Sequence, residues 1–363
     1  MGITISTPDA LRQSVEAASG GANTVLYDAK GYPSVMCVVP RFNIEDIDPA
    51  LGAGTHPAFI VGGVQKSEIF VGKFLARVHD NHALSMPGQD PSVSINFDNA
   101  NARCTVKGPG WHMMTNAEWS AVALWCWKNG FMPRGNTGYG RDHAQTYETG
   151  RRQDGGAPGN TEGTARTLTG SGPASWFHDN TPAGIADLCG NVFEWQRGLR
   201  LVDGEIQIIP DNNAAVTDAD HSATSALWRA IMPNGTLVAP GTAGTLKWNA
   251  TGAGGTGNPQ LATAVTSQTT DDSSSSISQQ YKDVTAASGV NVPNVLKLLG
   301  LFPHDTTATL DRGRLWLRNN GERLPLRGGH WLSGASAGVF ALNLNDARSY
   351  SSTFLGFRPA FVI

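Results

Sequence analysis

Two acidic residues that bracket a short glycine turn are the best spaced for chemistry in this chain. They are Asp187 and Glu194, in the stretch Asp187-Leu188-Cys189-Gly190-Asn191-Val192-Phe193-Glu194-Trp195. Carbonyl oxygens of Gly190 and Val192 could converge between the two carboxylates, and hard oxygens arranged in this way suit calcium. The plainer alternative is that both carboxylates bond backbone amides while Phe193 and Trp195 fill the core. His79 and His82 stand in a His-Asp-Asn-His sequence with the spacing of metal ligands. With no Cys or acidic cluster fixed beside them, they read as a solvated polar turn. Gly252-Ala253-Gly254-Gly255-Thr256-Gly257 matches GxGxxG letter for letter. Without a strand before it or a helix after it, the stretch reads as a linker loop and not as a phosphate cradle. HExxH and Walker sequences are absent. Cys37, Cys104, Cys126 and Cys189 are too dispersed for a zinc site and too few for a disulfide framework, so they read as buried thiols.

Those residues need a scaffold, and 363 residues suffice for one large domain or two ordinary ones. Charged residues are only 16%, against roughly 25% in ordinary soluble domains, while Gly 43 and Pro 20 favour loops and short strands. A net charge of −3 with no basic stripe argues against nucleic-acid binding. The first residues lack the basic-then-apolar pattern of an export signal, and no apolar run approaches the length of a membrane span, so neither a signal peptide nor membrane insertion is expected. Ten tryptophans can anchor an irregular core.

Thr7 as cap, Pro8 in the first turn and Leu11, Val15 and Ala18 on one face predict a short helix that stops at Gly20-Gly21. Strands at 24–27 and 34–39, joined through Asp28-Ala29-Lys30-Gly31, complete a small αββ unit over residues 1–50, suited to docking or oligomerisation. Short strands follow at 58–61 and 68–74 around Gly62-Gly63, then a helix over 98–107. Thr115-Asn116-Ala117-Glu118 is a capping box that opens a helix over 116–129, closed by Asn129-Gly130. Residues 130–185 read as long structured loops, the usual carriers of function. A second loop-rich tract at about 202–320 reads as an insertion. It holds the low-complexity run 266–280 and one helix near 293–299.

Four blocks stand in order: Trp111-His112-Met113-Met114-Thr115-Asn116-Ala117-Glu118-Trp119, then Gly184 to Trp195, then Arg327-Gly328-Gly329-His330-Trp331, then Gly356-Phe357-Arg358-Pro359. Together they resemble the RLPTEAEW, GLxDMxGNVWEW, RGGSW and GFR blocks of the formylglycine-generating-enzyme-like domain, a variant of the C-type lectin fold. The likeness covers about residues 56–200 and 322–363. It implies an α+β C-type lectin-like domain over 51–363, with a small twisted antiparallel sheet, two helices and long loops, preceded by the αββ unit.

Within that superfamily the stretch 327–359 resembles the variable proteins of diversity-generating retroelements, including phage tropism determinants. The resemblance implies a constant frame of Arg327, Gly328, Gly329, Trp331, Gly334, Ala337 to Phe340, Arg348 and Gly356 to Arg358. It also implies exchangeable ligand-binding positions at His330, Leu332, Ser333, Ser336, Asp346, Tyr350, Ser352, Phe354 and Leu355. Each of their occupants can be reached from an asparagine codon by changing adenines alone. The residues themselves agree: glycine, aromatic and β-branched frame positions suit a short core strand, whereas the intervening ones mix Ser with aromatics as a binding surface does.

The expected function is therefore recognition of a host-surface or other macromolecular ligand, protein or glycan, with no catalytic residue and no required cofactor. Localisation is expected in a phage tail tip or fibre, or in the bacterial cytoplasm before assembly, with a trimer as the family's form. The rival reading is a metal-dependent oxidase or sulfoxide synthase. The oxidases bind copper through two C-terminal cysteines, and this chain has none after Cys189. The resemblance also places Asp187, Gly190, Val192 and Glu194 where a structural calcium sits in the oxidases.

Overall fold

Asp9 opens the first helix, Ala10–Ser19, by accepting a hydrogen bond from the Arg12 amide at 2.9 Å, and Gly20 closes it in the left-handed region. The computed structural model describes residues 9–272, 275–306, 310 and 312–363, so the expected cap Thr7 and the first-turn Pro8 lie outside the described residues. Gly31, at φ 80°, turns the chain between the Asn23–Tyr27 and Pro33–Pro40 strands. Pro33–Pro40 pairs in turn with Glu68–Gly72, which pairs with Pro359–Phe361, and that strand pairs with Trp111–Met113. The N-terminal helix and hairpin are thus part of a five-stranded antiparallel sheet that also takes the C-terminal strand. They are not an appendage.

The expected helices form at Phe97–Thr105 and Asn116–Asn129. In the second, Thr115 Oγ1 accepts from the Glu118 amide at 3.1 Å and Glu118 returns the bond to the Thr115 amide at 2.9 Å. Glu118 is buried and also accepts from His112 Nε2 at 2.8 Å and Asn212 Nδ2 at 3.0 Å, so the capping residue doubles as an internal hub. The helix is buried on nearly every side and packs against two hydrophobic clusters.

The 202–320 tract is more ordered than its composition implies. Leu199–Val202, Glu205–Ile208, Arg229–Ile231, Leu237–Val238, Lys247–Gly252, Thr256–Ala262, Thr285–Ala286 and Glu322–Arg323 form an eight-stranded sheet. The GxGxxG stretch is the turn joining two of these strands, so a strand does precede it, and another strand follows. Asn294–Leu298 is the expected short helix. A third sheet, of six strands, runs in the order Ile277–Gln280, Arg314–Leu317, Gly338–Leu344, Leu326–Gly328, Phe193–Trp195, Leu355–Gly356. Two of its pairings are parallel. Instead of one small antiparallel sheet, the body is mixed α/β: mostly sheet, with few helices.

His79 and His82 end a hairpin whose turn residues, Asp80 and Asn81, both have positive φ. His82 is not solvated: it is buried, with Nδ1 2.7 Å from Asp28 Oδ2. All four cysteines are buried and free, as their spacing implies.

Candidate ligand-binding face

The stretch 327–359 alternates between residues that hold the fold and residues that face outward. Arg327 is fully buried and donates to Asn116 Oδ1 at 2.6 and 3.0 Å and to the carbonyls of Leu299 and Gly300 at 3.1 Å. It ties its strand to the start of one helix and the end of another. Gly329 has φ 90°, and a Cβ there would lie 2.6 Å from the Ala337 Cβ, so the loop that follows can close only over a glycine. Trp331 is buried; its amide donates to Asn191 O at 3.1 Å and its carbonyl accepts from the Tyr139 amide at 2.9 Å. Ala337, Val339, Phe340 and Phe357 are buried, and Trp119 Nε1 donates to Val339 O at 2.7 Å. Arg348 pairs with Glu322 and Asp98.

Between these anchors, Leu332 is 40% and Tyr350 43% exposed. His330, Ser333, Ser336, Asp346, Ser352 and Phe354 are half-buried, each keeping part of its side chain at the surface. Leu355 departs from the expectation. At 1% exposure it packs with Phe193, Leu326 and Phe357, and its strand pairs with Phe193–Trp195, which leaves it no outward side. Leu355 belongs to the frame.

The half-buried His330 and Phe354 form a continuous aromatic group with the buried Trp331 and Phe193. The His330 and Phe354 rings lie 4.5 Å apart, Trp331 and Phe354 4.7 Å, and Phe193 and His330 5.4 Å. Phe193 in turn meets Trp316 edge-on at 5.8 Å. His330 Nδ1 accepts from the Leu332 amide at 3.2 Å, which leaves its proton on Nε2, and burial pushes its pKa down to about 4. It is a neutral ring at physiological pH. Asp346 moves the opposite way: burial raises its pKa to about 6 against the pull of Arg318 and Arg323. Two neighbours of this group, Tyr139 and Trp316, were not singled out from sequence. Tyr139 has φ 59°, costly for a bulky side chain, but nothing local in the sequence marks it.

Two cavities of about 380 and 450 Å³ share Ala183 in their linings, and neither is lined by any residue of 327–359.

The 187–194 turn does not fit a calcium ion. Both Glu194 oxygens are taken by Arg358, at 2.8 and 2.9 Å, which neutralises the carboxylate that would have faced the metal. Asp187 accepts from the Gly170 amide at 2.9 Å, and the Gly190 and Asn191 amides donate to the carbonyls of Gly328 and Asn136. Val192 and Trp195 are buried. The turn is a cross-brace among loops, close to the plainer alternative, with a guanidinium as Glu194's partner in place of an amide.

No protein-family description matches the chain, and neither does any curated protein. Among solved structures it is similar to Treponema denticola variable protein 1, with 12% identity over 93% of this chain and 98% of that one, at a TM-score of 0.35. It is also similar to PvdO from Pseudomonas aeruginosa, with 12% identity over 94% of this chain and 98% of that one, at a TM-score of 0.32.

Proposed function

We propose that this chain is a non-enzymatic ligand-binding protein of C-type lectin-like architecture whose C-terminal surface is diversified by a retroelement, and that it serves a phage as a receptor-binding protein. One observation carries the reading. Within 327–359 the residues of the constant frame are mostly buried and bonded to the rest of the fold, while eight of the nine exchangeable positions keep exposed surface. Side chains at such positions can change without disturbing the core. Aromatic groups on a rigid backbone supply large contact area at small entropic cost, with Ser hydroxyls adapting between them. Outward side chains spread over 327–359 suit a macromolecular ligand on a host cell, and a trimer would combine several weak sites into avidity.

The test has two parts. The DNA beside the coding sequence should hold a reverse transcriptase and a near-copy of the last coding stretch that differs only at adenines. Purified protein carrying Tyr350→Ala should lose adsorption to host cells at an unchanged melting temperature, and adding Phe354→Ala should abolish adsorption with a modest drop in melting temperature, since that ring packs on His330 and Trp331; unchanged adsorption by both variants would sink the reading. The rival oxidase or sulfoxide synthase requires stoichiometric redox metal in the purified chain, and a metal assay decides it.

A further inference from the structure

Among the described residues, one face of the six-stranded sheet is packed by apolar side chains over half its width and lined by half-buried polar side chains around Trp316 over the other half. Around Phe193, Trp195 and Leu326 that face is packed by Phe97, Ala100 and Phe357. Trp316 is partly buried against that cluster. Along Arg314–Leu317, Leu315 and Leu317 enter the main core, while Arg314, Trp316 and, one residue on, Arg318 lie half-buried on the opposite side. Ser278 and Gln280 stand opposite Trp316 and Arg314 on one neighbouring strand, and Asn343 stands opposite Trp316 on the other.

Three polar atoms in this area are buried and have no hydrogen-bond partner: Arg318 Nε, Gln280 Oε1 and Asn345 Oδ1. Orphaned groups of this kind each cost stability, and a ligand onto which they can turn recovers it. Arg314 donates to Ser278 Oγ at 2.9 Å, and neither Arg314 nor Arg318 has a carboxylate within ion-pairing distance among the described residues. Asp271 is engaged by Arg323. The area joins the tail surface directly, through Trp316, Phe193 and His330 on one side and Asn345 beside Asp346 on the other.

We propose that this half-buried polar half-face is a constant subsite for an acidic saccharide, adjoining the exchangeable positions. It rests on the reading of the tail as a ligand surface and adds the class of ligand. The Trp316 indole offers an apolar platform for the C–H face of a sugar ring. Arg314, beyond its one bond to Ser278, and Arg318, whose charge acts on Asp271 and Asp346 without a salt bridge to either, can take a carboxylate or sulfate through paired bonds. Gln280 and Asn345 offer acceptors for sugar hydroxyls, which two arginines alone could not satisfy. The sheet then fixes the class of ligand and the tail positions choose within it.

The experiment titrates a heparin-derived hexasaccharide and neutral maltohexaose into the full chain by calorimetry. Wild type is expected to bind the acidic sugar, more weakly as salt rises, and to ignore the neutral one. Arg314→Ser with Arg318→Ser should weaken binding at least about tenfold, or roughly 1.4 kcal/mol, at an unchanged melting temperature, and Arg318→Lys should recover part of it. Equal affinity for both sugars, no binding to either, or wild-type binding by the double arginine variant overturns the subsite. The two readings fail separately. Host-cell adsorption lost with Tyr350→Ala/Phe354→Ala but kept with the arginine pair removed sinks only the subsite, whereas adsorption indifferent to Tyr350 and Phe354 sinks the tail reading.

Discussion

Arg358 grips Glu194 through two parallel bonds, Nε to Oε2 at 2.9 Å and Nη2 to Oε1 at 2.8 Å, with both side chains fully buried. Its other N–H groups donate to the carbonyls of Gly72, Lys73 and Ala186, so the whole guanidinium fork is satisfied. This one side chain bolts the end of the 327–359 stretch to the 184–195 turn and to the five-stranded sheet. Two of the recognisable sequence blocks meet in it.

Removing only the carboxylate leaves a buried cation unpaired. Glu194→Gln is therefore expected to cost about 3–5 kcal/mol of stability, measured as a shift of the urea midpoint. A loss under 1 kcal/mol would mean that the pair is not closed in solution.

The division between frame and surface makes a contrast in stability. Leu332→Ala and Tyr350→Ala should each change unfolding free energy by no more than about 0.5 kcal/mol, as surface substitutions do. Leu355→Ala should cost roughly 2–5 kcal/mol and Phe357→Ala about 3–5, since both side chains are buried. A mild Leu355→Ala would return that residue to the exchangeable set.

Acid should unfold the protein through its buried imidazoles. Burial lowers His56, His178, His304 and His330 to about 4. Between that value and the ordinary 6.5 of the unfolded chain, the unfolded state binds more protons. Their contribution is whole above pH 6.5 and is lost as pH falls toward 4. Denaturation midpoints at pH 7, 5.5 and 4.5 should decline in that order, and His330→Asn should make the decline shallower. Asp346 acts in the opposite sense. Its carboxyl, raised to about 6, favours the fold while protonated and loses that contribution as pH rises from about 4 to 6, so Asp346→Asn should stabilise at pH 7 and not at pH 4.

Much of the site was legible because its constant part is written in residue types with narrow uses. Glycines at 328 and 329 need positive φ, the arginines at 327 and 358 are buried in satisfied networks, and the Thr115–Glu118 capping box has its spacing in the letters themselves. The eight-stranded sheet was not legible. In Lys247-Trp248-Asn249-Ala250 the period of two is present, with Trp248 and Ala250 buried, but two apolar residues in so polar a tract carry too little signal. Glu194 was readable as a buried carboxylate yet not as Arg358's partner, because 164 residues separate them. The polar half-face around Trp316 was likewise hidden. Arg314, Trp316 and Arg318 alternate visibly, but only the sheet order shows which neighbours stand beside them.

Asp187 supplies the sharpest trial of the brace against a calcium site. Its φ of 62° belongs to the left-handed region, which Asn enters as readily as Asp, and burial lifts its carboxyl to about 6 with the Gly170 amide as its hydrogen-bond donor. The raised value means that the protonated form suits the fold, so its contribution fades as pH rises from about 4 to 6, and above that an ionised carboxylate is held at a cost. Asp187→Asn keeps the backbone geometry and an acceptor for Gly170 while removing the charge. It should leave the melting temperature at pH 7 unchanged or higher, whereas Asp187→Ala, which loses both, should lower it. Neither excess calcium nor a chelator should move the wild-type melting curve. A calcium-dependent rise that Asp187→Asn abolishes would mean that Arg358 yields Glu194 to a metal.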